Sequence, residues 1–170
     1  MRRSATDRGA PPGGQGPLAI LAVGRLRSGP EADLLARYAE RLRLHIAEIP
    51  DGVGAPAEIK RREGEALLAA VPRDGFVVAL DQGGAAPGSE AFAALLEDWL
   101  AAGKKPVFVI GGAEGLSAAV VARAGYILSL GQFTWPHMLA RVMLAEQLYR
   151  ARMIAAGHPY HRAGRPDRLG

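Results

Sequence analysis

The sequence predicts an α/β fold in which a mostly parallel sheet is covered by helices on both faces. Three observations carry that reading. Short apolar runs alternate with segments of helical periodicity along the chain. Each run is continuously apolar rather than alternating, as a strand buried on both faces requires. The length of 170 residues, with 49% hydrophobic and 22% charged, suits one domain that buries roughly 70% of its unfolded surface. The chain has no cysteine, which excludes disulfide frameworks, thiolate nucleophiles and cysteine-ligated zinc. No apolar run is long enough to span a membrane, and the first residues lack a hydrophobic signal core. A cytoplasmic protein without membrane contact is expected.

Residues 1–17 are rich in Gly and Pro and nearly devoid of large apolar side chains, so a disordered arm is expected there. LAILAV, residues 18–23, reads as the first strand. In residues 29–44, Leu34, Leu35, Tyr38 and Leu42 recur at helical spacing. LHIAEI, residues 44–49, is a second strand, ended by Pro50-Asp51-Gly52, and a polar helix follows at roughly 56–70. FVVALD, residues 76–81, is the clearest strand, an aromatic and β-branched run leading to two glycines. Phe92, Leu95, Leu96, Trp99 and Leu100 then mark one face of a helix that Ser89 caps and Gly103 stops. PVFVI, residues 106–110, runs into GGAEGLS, where Ser117 caps a short helix to about Arg123. YILSL, residues 126–130, is the fifth strand. A long helix over 136–156 follows, with Pro136 at its first position and Leu139, Val142 and Met143 on its packing face. One domain is expected over 18–162, with a disordered tail over 163–170.

Parallel sheets bind ligands beyond the carboxyl ends of their strands. Three loops leave such ends here, each with glycine: Gly83-Gly84, Gly111-Gly112 with Gly115, and Gly131. Together they make a small-molecule pocket the favoured reading, although any one glycine loop alone reads more simply as a turn. The dinucleotide fingerprint, the phosphate-binding P-loop and the nucleophile elbow are all missing. Glu114 would repel phosphate from the glycine loop, so a nucleoside without phosphates fits best. On the long helix, Arg141, Tyr149 and Arg152 fall broadly on one face, and Glu146 can pair with Arg150. A solvated charged face explains these arginines about as well as a functional one. HPYHR, residues 158–162, resembles neither core nor flexible tail. Its two histidines lack a third ligand and Pro159 bars a regular helix, so no metal is expected.

Charge is unevenly distributed. The net charge is +4, but residues 18–128 carry −2 and residues 129–162 carry +3, with the remaining +3 in the two end segments. The positive end of the fold therefore coincides with the long helix and HPYHR, a weak pointer to nucleic-acid or other anionic partners.

VVALD, VFVIGGAEGLS, LSLGQFTWPHMLARVMLAEQLYRA and HPYHR occur in this order. With LAVGRLR near the start, they resemble the ribosomal large-subunit methyltransferase H family of the SPOUT superfamily, over about Leu18 to Arg162. The resemblance implies a C-terminal trefoil knot, which plain topology rules would not suggest. It also implies a homodimer and S-adenosylmethionine as cofactor. Carried over, the cofactor residues are Leu80, Gly111, Gly112, Leu130, Gly131, Gln132, Phe133, Thr134 and Trp135. The implied reaction is methylation of N3 of a pseudouridine in 23S rRNA of the assembled ribosome. His158, Tyr160, His161 and Arg162 would face substrate, with Arg141 on the long helix. The general base stays open among them, and Tyr160 equally suits stacking on an extruded base.

The chain departs from the family pattern at Ala113, where GPEG is common, at Trp135, where a smaller apolar residue is usual, and in the eight residues after HPYHR. Two alternatives stand beside the main reading. One is a SPOUT methyltransferase acting on tRNA or another rRNA base, and the other is a non-catalytic ribosome-associated module.

Overall fold

A computed structural model describes residues 17–162, so the expected arm (apart from Pro17) and the expected tail lie outside the described residues. Five strands and five helices alternate. They are β1 (Ala19–Val23), α1 (Pro30–Leu42), β2 (His45–Ile49), α2 (Pro56–Ala70), β3 (Gly75–Ala85), α3 (Ser89–Ala101), β4 (Lys105–Ile110), α4 (Ala118–Arg123), β5 (Tyr126–Leu128) and α5 (His137–Ala155). The sheet runs β2-β1-β4-β3-β5. Every neighbouring pair is parallel.

Side-chain alternation explains the continuous apolar runs. Ile20, Ala22, Val78, Phe108 and Ile110 point to one face, where they meet Leu35 of α1, Phe92 and Leu96 of α3, and Val142 and Leu148 of α5. Leu21, Val23, Val77, Val107 and Val109 point to the other face, against Leu67 of α2 and Val120 of α4. Each such large side chain contributes about 1.5–3 kcal/mol on burial. Because all five strands run the same way, their carboxyl ends share one edge of the sheet.

The elements differ from expectation in four places. The third strand extends to Ala85, breaking register after Leu80 and rejoining β5 where Ala85 faces Leu128. The fifth strand ends at Leu128 because Ser129 turns the chain: its hydroxyl accepts from the Gly131 amide at 3.1 Å and donates to the Gly131 carbonyl at 3.0 Å. Ser89 does not cap α3; Gly88 precedes the helix, and the Ser89 hydroxyl donates to Gln147 Oε1 of α5 at 2.8 Å. Pro136 stands one position earlier than expected, its extended ψ of 133° placing it before the first turn of α5. Ser117 does cap α4, accepting from the Val120 amide at 3.4 Å. Leu139, expected on the packing face, is 38% exposed.

Candidate cofactor pocket and C-terminal segment

At the carboxyl edge, β3 itself and the chain leaving β4 and β5 enclose a cavity of about 330 Å³; the expected Gly83-Gly84 loop is part of β3 and does not line it. Its walls are residues 80–82, the glycine loop 110–116, the segment 129–135, and His137 and Ala140 of α5. Leu80, Gly111, Gly112, Leu130, Gly131, Phe133, Thr134 and Trp135 all line it, and Gln132 does not. The walls are tied together. Gln82 Nε2 donates to Thr134 Oγ1 at 3.1 Å, Trp135 Nε1 donates to the Leu130 carbonyl at 3.4 Å, and the Gly115 amide donates to the Gly112 carbonyl at 3.0 Å. Phe133 and Trp135 form an aromatic pair at the rim, 76% and 37% exposed, with ring centroids 6.0 Å apart.

Glycine at position 112 allows a close approach. A Cβ there would lie 2.8 Å from Glu63 Oε2 and 3.0 Å from Val23 Cγ1. The loop is thus pressed against α2, whose Gly64 in turn leaves room for Ser117, where a Cβ would fall 2.1 Å from the hydroxyl. Asp81 lines the cavity and accepts from the Gly83 amide at 2.8 Å. The walls combine backbone and apolar side chains with Asp81, Gln82, Thr134 and His137, and Glu63 lies behind Gly112, so the carboxylates favour an uncharged or cationic nucleoside-sized ligand. The volume sits at the lower end of the roughly 300–1,000 Å³ typical of such pockets.

The HPYHR segment folds back along α5. The His158 amide closes the helix by donating to the Met153 carbonyl at 2.9 Å, and the Tyr160 amide donates to His158 Nδ1 at 3.2 Å. Tyr160 donates its hydroxyl to Glu146 Oε1 at 3.1 Å and packs edge-on against Tyr149, centroids 4.9 Å apart. Arg150 pairs with Glu146 at 2.5 Å, lies over the Tyr160 ring and reaches His161 Nδ1 at 3.3 Å. His161 Nε2 also stands 3.6 Å from Glu90 of α3. Burial raises the Tyr160 phenol well above its ordinary value, with Tyr38 and Glu146 adding to the effect. His158 and Arg162 are exposed.

Arg141 is a correction to the expected substrate-facing set. It is 0% exposed and points inward: Nη2 donates to the Gly24 carbonyl at 2.7 Å and to that of Val23, while Nη1 pairs with Glu48 Oε1 at 2.9 Å. Burial pushes its pKa down, opposed by Glu48. One turn of helix separates it from the pocket residue His137, so it moors the start of α5 to the ends of β1 and β2. Arg152, by contrast, pairs with Glu97 of α3, so Arg141, Tyr149 and Arg152 do not act as one face.

A second, apolar cavity of about 500 Å³ lies between α1, α5 and residues 86–89, bordered by Leu34, Tyr38, Phe92, Met143 and Glu146. Residues 129–131 form a wall common to both cavities. Sequence reasoning missed Glu63 and Glu48. Glu63 sits among Arg61, Arg62 and Glu65 in a polar helix, and nothing in that local pattern marks it as the buried member. Among the described residues no group of three His, Asp or Glu side chains converges to hold a metal, and no helix is long and apolar enough to cross a membrane.

Comparison with known proteins adds family information to this geometry. Residues 17–161 match the family described as "Predicted SPOUT methyltransferase". The ribosomal RNA large subunit methyltransferase H of Gluconacetobacter diazotrophicus is 62% identical over 149 residues, covering 86% of this chain and 98% of the relative. The protein of the same name from Acidiphilium cryptum is 58% identical over 151 residues, covering 88% and 96%. Among solved structures, a protein assigned to a methylase family from Neisseria gonorrhoeae superposes with a TM-score of 0.51 at 16% identity, over 93% of this chain and 91% of that one. That likeness concerns the fold alone.

Proposed function

The chain belongs to the SPOUT methyltransferase family, and on that premise we propose that it transfers a methyl group from S-adenosylmethionine to N3 of a pseudouridine in 23S rRNA of the assembled ribosome, in the cytoplasm. One observation carries the cofactor half of this reading. Residues 80–82 of β3 and the loops after β4 and β5, distant in sequence, converge on one cavity lined by eight of the nine residues singled out for the cofactor. When bound, the cofactor supplies an electrophilic methyl group on a sulfonium.

The residues of this chain then have separable tasks. The backbone of Gly111, Gly112 and residues 129–131 holds the nucleoside, and Leu80, Ile110 and Leu116 exclude water from it. Alignment of the methyl group with its acceptor is worth roughly 7–11 kcal/mol of barrier in well-oriented systems. The acceptor base must be unpaired or extruded to reach the pocket. Glu146 and Arg150 orient Tyr160 and His161, and the neutral Tyr160 phenol donates to Glu146. His161 is the group we assign to handling the N3 proton, with the exposed Arg162 on the RNA backbone.

The same reading includes a homodimer. The apolar second cavity, with Leu34 and Leu139 exposed beside it on α1 and α5, supports a second copy docking there. It also includes the trefoil threading of the segment after β5, which rests on membership of the SPOUT family.

Transfer of labelled methyl from S-adenosylmethionine to assembled ribosomes, free 23S rRNA and tRNA tests the proposal. Incorporation into assembled ribosomes at a pseudouridine N3 is expected, and activity confined to tRNA would overturn it. His161→Ala should lose transfer while keeping cofactor affinity, and unchanged turnover would remove that residue from its role.

A further inference from the structure

Glu63 has no role in the reading above, yet its position is unusual. It is 5% exposed, on the face of α2 that packs behind the glycine loop. Its Oε1 accepts from the Gly52 amide at 2.9 Å. Its Oε2 is buried with no hydrogen-bond partner, and it lies 2.8 Å from where a Gly112 Cβ would stand. A buried carboxylate oxygen without a donor destabilises a fold, since desolvation is not repaid by a bond. Residue 112 lines the pocket and carries no side chain, so Glu63 packs directly against the back of this stretch of the wall.

We infer that Glu63 is a buried counter-charge for a cationic ligand, selecting a sulfonium cofactor over its neutral thioether product across the thin wall at Gly112. The inference rests on the proposed S-adenosylmethionine site and deepens it. In the low-dielectric space behind the loop, a carboxylate favours a positive centre in the pocket without touching it, and water screens the attraction little. Glu63 is thus a positioning residue that acts through the field and through the close approach of Gly112. The neutral product, deprived of that attraction, leaves more readily after transfer.

The test compares S-adenosylmethionine with S-adenosylhomocysteine by calorimetry on the full chain, wild type and Glu63→Gln, with a thermal melt of each protein. The two ligands share their adenosine, carboxylate and ammonium, and differ in the sulfonium methyl and its charge. Glu63→Gln should weaken S-adenosylmethionine by about tenfold more than S-adenosylhomocysteine, with no fall in Tm. Glu63→Asp, which keeps the charge, should retain the preference for the cation. Equal weakening of both ligands, or no change in either, would overturn the inference, because a purely structural Glu63 cannot tell the two apart. A wild type that binds neither ligand would instead sink the cofactor reading, and this inference with it.

Discussion

Arg141 and Arg150 lie about two and a half turns apart on α5, and the two ends of that helix put them to opposite use. Arg141 is fully buried, its two terminal nitrogens donating to the carbonyls of Val23 and Gly24 and to Glu48 while its Nε has no partner. Arg150 is partly exposed and holds Glu146, the Tyr160 ring and His161. The first arginine fixes where the helix starts and hence one wall of the pocket. The second fixes a segment of chain that returns along the helix. The contrast teaches that a charged residue on a helix is defined by what the sheet and neighbouring helices place opposite it, not by its spacing from other charges.

The largest effect expected from this contrast is at Arg141. Arg141→Met keeps the volume and strands two buried carbonyls, so unfolding stability should fall by about 3 kcal/mol, measured by urea denaturation. A loss below about 1 kcal/mol would mean the guanidinium is merely tolerated there. Arg150→Met should cost less than about 1 kcal/mol, because that pair is partly solvated and screened by salt. Yet it should sharply reduce methyl transfer to ribosomes, since His161 and Tyr160 lose their orienting group. Wild-type activity in that variant would erase the proposed distinction between the two ends.

The smallest effect concerns Tyr160. Tyr160→Phe removes the bond to Glu146 and should cost about 0.5–1.5 kcal/mol at neutral pH. Its raised phenol pKa means the folded chain holds that proton more tightly than the unfolded chain. The contribution is therefore complete below the unfolded value near 10 and declines as pH rises beyond it. Denaturation between neutral and strongly alkaline pH should show a steeper loss of stability for wild type than for Tyr160→Phe. Parallel curves would show that the phenol is not held by its surroundings.

The strands and helices were legible because periodicity is a local property. FVVALD and PVFVI declare burial on both faces, and Ser117 declares the start of α4. Where local cues failed, a distant group had taken over. Ser89 had Gln147 of α5 available and did not cap its own helix, and the third strand ran on to Ala85 because Leu128 lay opposite to pair with it. The glycine loops after β4 and β5 were legible as a candidate site because the ends of parallel strands share one edge, whereas Gly83-Gly84 fall inside the extended β3 and do not line the cavity. Glu63 was not legible, since five other charged residues share its helix and burial is decided by what packs on α2.

By itself, then, the sequence determined the α/β class, the alternation of elements, the glycine loops after β4 and β5 and the family resemblance, all of which follow from short-range pattern. Tertiary structure decided which charges are buried, which loops share a wall, and where Arg141 and HPYHR point. Those are outcomes of packing between segments far apart in the chain, whose energies depend on desolvation and on the partner that happens to lie opposite, and no local pattern records either.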